Sequence, residues 1–185
     1  DFIMPIAEAG CSTFIVHARK AWLQGLSPRE NREIPPLNYP WVYRLKRDFP
    51  ALNIVINGGI ERIDESLEHL QEVDGVMIGR AAYQNPWLLA EVDSAIFGID
   101  KPALSRDDVM ADLLPYVEQQ LANGARLNQI TRHILGLFHG QPGAKKFRRH
   151  LSENAYHREA GIEVLIAAYA LVGKADNNVF AGTAV

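Results

Sequence analysis

Cysteine is nearly absent from this 185-residue sequence, which contains only Cys11. A single cysteine excludes an internal disulfide and a zinc site built from cysteines, and it is typical of a reducing cytoplasm. The sequence also lacks any apolar run of the ~18 residues that a membrane-spanning helix needs, and it shows no pattern of a secretory signal. We therefore expect a cytoplasmic protein that makes no membrane contact.

Negative charge is scarce in one segment. Between Arg126 and Arg158 the only acidic residue is Glu153, against seven lysines and arginines, so the segment carries a formal charge of +6. Because the whole chain carries −3, the remaining residues carry −9. Such asymmetry favours a surface that binds a polyanion, and the alternative is a solvated helix face.

Three apolar runs predict β-strands, at residues 12–17, 53–57 and 73–78. They show no polar alternation, which is typical of parallel strands covered on both faces. The stretches between them, from Pro40 and from Ile63, have helical spacing. This β-α-β-α-β order predicts parallel strands joined by right-handed crossovers.

Three strands are too few for a closed barrel, which has eight strands and about 250 residues. Residues 1–10 resemble the end of a helix that begins earlier, so we expect this chain to be part of a longer protein. Strands from elsewhere, or another copy of the chain associating through exposed sheet edges, would then cover the open sheet.

No strand pattern returns after Arg80, and the second half predicts a helical bundle. Ser105 and Asp108 predict a capped helix start, and Pro115 should kink or divide that helix. Residues 130–138, 145–151 and 162–169 predict further helices, and 179–185 a frayed tail. We expect an α/β region at 1–98 and an all-α region at 99–185.

Two glycine motifs, Asn57-Gly58-Gly59 and Gly79-Arg80, each follow a predicted strand. In a (β/α)₈ barrel the last two strand–helix loops commonly hold a phosphate, through backbone N–H groups and a helix N-terminus. His17 ends the first strand and should lie at the same edge. Cys11 should lie at the opposite edge as a small buried hydrophobic residue.

A basic helix is predicted to follow the turn Gly140–Gly143. Lys145, Arg148 and Arg149 are three or four residues apart and can share one face, which would suit phosphate contacts. We expect Phe147, between them, to pack inward rather than to stack on a base.

The residues quoted above belong to longer stretches that closely resemble the tRNA-dihydrouridine synthase family. The resemblance runs from about Ala9 to about Leu171, and its most specific part is the long motif from His17 to Leu37. The matching stretches are 14–23, 25–28, 30–37, 56–60, 79–86 and 142–152.

The resemblance implies an FMN-binding TIM barrel followed by a helical domain, with tRNA in the cleft between them. Such an enzyme reduces a D-loop uridine, of the position 20/20a type, to 5,6-dihydrouridine. NADPH reduces FMN, the flavin passes hydride to the base, and a cysteine supplies the proton. The residues that match FMN-binding positions are His17, Asn57, Gly58, Gly59, Gly79 and Arg80, and those that match tRNA-contacting positions are Glu30, Glu33, Lys145 and Arg148, with Arg149 beside them.

Some residues of the family pattern are not found in this sequence. The cysteine that donates the proton in this family, and a lysine at the end of an earlier strand, have no counterpart in these residues. Position 145 is Lys, where Arg would bind a phosphate in bidentate fashion. We therefore expect no catalytic residue in this chain and no synthase activity from the chain alone.

Two other functions fit parts of the pattern. The glycine motifs would also suit a flavin barrel acting on a small molecule, which would not need a segment of charge +6. The chain would also suit a non-catalytic role, as a helical RNA-binding module that carries a piece of a barrel and oligomerises through the open sheet edges of that piece.

Overall fold

The computed structural model describes residues 2–22, 24–102 and 104–173, and the frayed tail predicted at 179–185 lies outside these residues. The chain divides into two compact units. The sheet unit comprises the chain up to Ala82 together with Glu91–Asp100, and the helical unit comprises Tyr83–Ala90 and the chain from Lys101 onward. Residues 83–90 therefore group with the helical unit, whereas the sequence-based boundary at residues 98 and 99 assigns them to the first region.

The sheet unit is built on three parallel strands in the order β1-β2-β3. Strand β1 is Thr13–His17, β2 is Asn53–Asn57 and β3 is Gly75–Met77. Each strand falls inside its predicted run, and β2 has the predicted bounds. The helical segments from the start of the chain to residue 95 are α1 Ile3–Glu8, a 3-10 turn Glu30–Arg32, α2 Tyr39–Asp48, α3 Ile63–His69, α4 Arg80–Gln84, a 3-10 helix Pro86–Glu91 and α5 Val92–Ala95.

The two faces of the sheet differ in burial. Ile54 and Ile56 of β2 are fully buried and pack in one cluster with Val42 of α2. Ile15 and Met77, whose side chains point to the opposite face, are 59% and 42% exposed. The prediction that the strands are covered on both faces is therefore wrong for this chain, because only one face is packed against helices of the sheet unit.

The helical unit contains α6 Arg106–Ala122, α7 Leu127–Thr131, α8 Ala144–Asn154 and α9 Ile162–Ala170. The predicted capping box is present: Asp108 N–H donates to Ser105 Oγ over 3.1 Å, and Ser105 N–H donates to the Asp108 carboxylate over 3.0 Å. Helix α6 continues through Pro115 and is not divided there. The core of the helical unit is a single cluster that includes Val117, Phe138, Phe147 and Leu165.

The predicted helix through residues 130–138 is much shorter than expected. Helix α7 ends at Thr131, and the residues after it form turns that bury Leu137 and Phe138. Gly136 explains the difference, because a Cβ atom there would lie 1.8 Å from the carbonyl oxygen of Gln84. The backbone contact permitted by this glycine, which is itself a poor helix former, replaces the helical turn.

Within the described residues, no helix combines the length and apolar character required to cross a bilayer. The same residues contain no cluster of three or more histidine, cysteine, aspartate or glutamate side chains arranged to hold a metal ion.

Candidate functional site

The carboxyl ends of the three strands lie side by side. His17 of β1 pairs in register with Asn57 of β2, and Asn57 pairs in register with Met77 of β3. Gly58 and Gly59 follow β2 directly, and Gly79 and Arg80 follow β3 after one residue. The sheet therefore brings to one edge all six residues that the sequence analysis predicts to bind a cofactor.

Two glycines at this edge have backbone conformations that disfavour side chains. Gly58 has φ +120° and Gly59 has φ +73°. A Cβ atom on Gly58 would lie 3.0 Å from the His17 ring, and one on Gly59 would lie 2.6 Å from the Leu37 side chain. The loop after β2 thus packs closely against its neighbours, and only glycine combines that packing with these backbone angles.

Gly79 differs from this pair. Its φ is not positive, and a Cβ atom there would meet no described atom within 4 Å. The backbone at Gly79 therefore faces open space at the strand edge, and it is followed at once by the first residue of α4, Arg80. An N–H group placed in this way can approach a bound anion closely.

His17 is half-buried at this edge, at the end of the outer strand β1. Burial lowers the pKa of His17, and the positive charges of Arg19, Arg32 and Arg80 lower it further. Among the described residues no hydrogen-bond partner is found for the buried Nδ1 of His17. The imidazole is therefore neutral near pH 7 and retains an unsatisfied ring nitrogen beside three cations.

Arg80 is engaged with the long loop between β1 and α2. Its Nη1 lies 2.9 Å from Glu33 Oε1, and Arg29 Nε lies 3.7 Å from the same oxygen. Both pairs are largely exposed, so each contributes at most about 1 kcal/mol to stability. A stronger anion can therefore compete with Glu33 for the Arg80 guanidinium.

Glu30 has a local role in the same loop. Its carboxylate accepts a hydrogen bond from the backbone N–H of Ser27 over 2.7 Å, and the hydrogen bonds from Ser27 lower the Glu30 pKa. Asn31 also ties the loop together, because its side chain accepts from the backbone N–H of Trp22 and donates to the Trp22 carbonyl. The carboxylates of Glu30 and Glu33 thus both take part in contacts within the sheet unit.

The basic residues of α8 lie on the surface of the helical unit. Lys145 and Arg149 are exposed and one turn apart, whereas Arg148 is half-buried. Arg149 Nε lies 3.5 Å from Glu153 across the next turn. Phe147 is fully buried, with its ring centroid 4.8 Å from that of Phe138, so the prediction that Phe147 packs inward is confirmed.

Comparison with known proteins identifies the family. The family model described as dihydrouridine synthase (Dus) matches residues 1–172 of this chain. This chain belongs to the dihydrouridine synthase family. The resemblance inferred from the sequence motifs is therefore confirmed.

Several curated relatives of this dihydrouridine synthase family member are named tRNA-dihydrouridine(20/20a) synthase. The protein from Shewanella oneidensis is 60% identical over 168 residues, which cover 91% of this chain and 50% of that protein. The Vibrio cholerae protein is 56% identical over 173 residues (93% and 53%), and the Haemophilus ducreyi protein 60% identical over 172 (93% and 52%). The chain spans about half the length of the curated relatives it matches.

The structure corrects the prediction for Cys11 in this family member. Cys11 precedes β1, so it lies toward the amino end of the strand, away from His17, as expected. It is exposed rather than buried, and its thiol donates to the Thr13 carbonyl over 3.4 Å. The apolar run that predicts β1 begins only after Cys11, which explains why this residue is outside the core.

The sequence did not predict one residue that supports the strand edge. Tyr39, the first residue of α2, donates its hydroxyl to the Gly58 carbonyl over 2.9 Å. Its ring also meets His69 edge-on at 4.5 Å, and His69 is bonded to the Tyr43 hydroxyl over 2.6 Å. The only signal in the sequence was Pro40, which marks the helix start, and it does not reveal that the neighbouring hydroxyl reaches Gly58.

Proposed function

We propose that this chain contributes to an FMN-dependent tRNA-dihydrouridine synthase that uses NADPH to reduce a D-loop uridine of the 20/20a type. The observation that carries the proposal is the family match over residues 1–172, together with relatives of 56–60% identity that are named for this activity. In the same proposal, residues 1–98 form the last three units of a TIM barrel and residues 99–185 form a helical tRNA-binding domain.

The sheet supports the barrel part of this proposal. Its strands are parallel and follow chain order, as neighbouring units of a (β/α)₈ barrel do. The face that carries Ile15 and Met77 is exposed, and in a barrel the corresponding face of each strand is turned to the packed interior. Further strands that close a barrel would therefore bury these two side chains.

The strand edge fits the phosphate and ring of FMN. Backbone N–H groups of Gly58, Gly59 and Gly79 and the Arg80 guanidinium suit the phosphate, and the Asn57 amide suits polar groups of the ribityl chain. The unsatisfied Nδ1 of His17 is the observation that favours a ligand here, because buried polar atoms normally have a hydrogen-bond partner. When bound, FMN would supply hydride-transfer chemistry.

The residues of this chain would bind and orient rather than exchange protons with the substrate. His17 is neutral because its pKa is lowered, so it can hold a hydrogen bond without adding charge. Cys11 is a poor candidate for the proton donor, because it lies toward the amino end of β1. We infer that the chain alone forms no dihydrouridine.

For the helical unit, we propose that Lys145, Arg148 and Arg149 bind phosphates of tRNA. The positive charge of the segment from Arg126 to Arg158 supports this assignment, since phosphate contacts dominate the affinity of proteins for nucleic acids. Glu30 and Glu33 are proposed as tRNA contacts through base amines or 2′-hydroxyl groups. In the structure both carboxylates hold local partners, so tRNA would have to share or displace these.

A chimera tests the proposed function directly. The 168 matched residues of the Shewanella oneidensis relative would be replaced by those of this chain, and an unmodified tRNA transcript would be incubated with the chimera, FMN and NADPH. We expect dihydrouridine at position 20 or 20a by mass spectrometry of nuclease digests. A folded chimera that binds tRNA but makes no dihydrouridine would contradict the proposal, and the unaltered relative is the control.

A second function is favoured by one observation. The exposed Ile15 and Met77 on the open sheet face could be covered by another copy of the chain, so the isolated chain could act as an RNA-binding module that oligomerises. Light scattering tests this alternative: a particle mass that rises with concentration supports it, and a monomer at all concentrations excludes it.

A further inference from the structure

Two exposed aromatic rings lie just beyond the C-terminal end of α8. The Tyr156 and His157 rings have centroids 4.1 Å apart and planes inclined at 32°. Both residues are exposed, and Tyr156 is 60% exposed. The helical unit thus presents a pair of aromatic faces to solvent rather than burying them in its core.

The pair continues the exposed side of α8. Positions 145, 149, 152 and 156 are spaced by four, three and four residues, which places them on one side of a helix. Ala155, between the helix and the pair, keeps helical backbone angles (φ −71°, ψ −15°) and is buried, as are Phe147 and Leu151 on the opposite side. Lys145 and Arg149 therefore lie on the same side of α8, and the helical backbone of Ala155 continues that side toward Tyr156.

This combination has a specific chemical meaning. Cations that follow one line can contact successive phosphates, and an aromatic face at the end of that line can stack on a base. A base in a duplex is already stacked on both sides, so the base that fits is an unpaired one. Arg158, which follows the pair and is exposed, adds a further cation at this end.

We propose that Tyr156 and His157 form a stacking platform for an unpaired base of RNA whose phosphates contact Lys145 and Arg149. The proposal rests on the proposed function, because it assumes that the helical unit binds tRNA. It adds a contact with the bases to the phosphate contacts of α8.

The experiment measures the affinity of the full 185-residue chain for two RNAs by fluorescence anisotropy at several salt concentrations. The probes are an unmodified tRNA transcript, which has unpaired loop bases, and a blunt, fully paired RNA duplex. The variants are Tyr156→Ala, Tyr156→Phe, Lys145→Gln and Tyr116→Ala. Tyr116 is the matched control, because it is an exposed tyrosine on α6 of the same unit.

For tRNA we expect Tyr156→Ala to weaken binding by about tenfold, since base stacking on one aromatic ring contributes about 5- to 150-fold. Tyr156→Phe and Tyr116→Ala should bind like the unaltered chain. Tyr156→Ala should leave the salt dependence unchanged, whereas Lys145→Gln should lower its slope by roughly one. For the duplex, Tyr156→Ala should have no effect.

Three results would overturn the proposal. If Tyr156→Ala binds tRNA unchanged while Lys145→Gln weakens it, the rings stack only on each other and the tRNA-binding proposal stands. If Tyr156→Ala weakens tRNA and duplex equally, the effect does not come from unpaired bases. If the unaltered chain binds neither RNA, both this inference and the proposed role of the helical unit fail.

Discussion

The sheet unit and the helical unit differ in how they bury their apolar side chains. In the helical unit, one cluster of fully buried side chains joins α6, α8 and α9, and the charged residues of α8 lie outside it. In the sheet unit, the core lies on one face, and Ile15 and Met77 remain exposed on the other. The comparison teaches that the helical unit packs its helices around one shared core, whereas the sheet unit keeps one face of its sheet open next to its polar strand edge.

The largest expected effect on stability is in the core of the helical unit. Phe147→Ala should lower the free energy of unfolding of the helical unit by about 3–5 kcal/mol, because it removes a fully buried ring that packs on Phe138. Ile15→Ala is the contrasting control in the sheet unit, and its exposed side chain should cost less than about 1 kcal/mol. Urea unfolding followed by circular dichroism measures both, and equal losses would contradict the contrast.

A smaller effect is expected where the sheet unit meets its proposed cofactor. Gly59→Ala should cost about 1–2 kcal/mol because its φ is +73°, and the new Cβ atom also meets Leu37. Gly79→Ala should leave stability unchanged, since open space surrounds it, yet it should weaken FMN binding by blocking the backbone. FMN affinity is measured by quenching of flavin fluorescence, with the chimera as the protein. A loss of stability in Gly79→Ala would contradict this distinction.

Hydrogen-bonded support of the strand edge should contribute less than the glycine geometry. Tyr39→Phe removes the bond to the Gly58 carbonyl and should cost about 1 kcal/mol of stability together with a loss of FMN affinity. Tyr43→Phe is the control, because it removes a hydrogen bond to His69 and does not touch Gly58. Equal FMN affinity in the two variants would show that Tyr39 stabilises the fold without positioning the loop.

The sequence predicts features that depend on residues close together in the chain, and it misses those that depend on residues far apart in the chain. The end of β1 at His17, the end of β2 at Asn57 and the Ser105–Asp108 cap depend on neighbours within a few residues, so local patterns were sufficient. The early end of α7 depends on the approach of Gly136 to Gln84, 52 positions earlier in the chain. No periodicity records such a contact.

The same limit applies to the candidate site. The glycine motifs predicted a common edge, because carboxyl ends of parallel strands meet at one side of a sheet. They did not predict that Arg80 contacts Glu33 or that Tyr39 supports Gly58, since both contacts join distant segments. The roles of these residues toward FMN and tRNA remain predictions.

The pH dependence of stability probes the strand edge without a ligand. The pKa of His17 is lowered in the folded chain, so the folded state binds fewer protons than the unfolded state below about pH 6.5. Its contribution to stability is therefore present above that pH and is lost as the pH falls toward the lowered pKa. His17→Gln should remove this part of the pH dependence, which urea unfolding from pH 8 to pH 5 measures. Identical pH profiles would contradict the lowering of the His17 pKa by its burial and by the neighbouring cations.

The smallest effect on stability is expected at the contact between Arg80 and Glu33, and it separates two roles of Glu33. Glu33→Gln should change the free energy of unfolding by less than about 1 kcal/mol, because the pair is exposed. If Glu33 only holds Arg80, the variant should bind FMN more tightly and tRNA equally well, since the guanidinium is released toward the phosphate. If Glu33 contacts tRNA as proposed, tRNA affinity should fall at every salt concentration. Arg29→Gln is the control, because it weakens the other contact of Glu33 and leaves Arg80 in place.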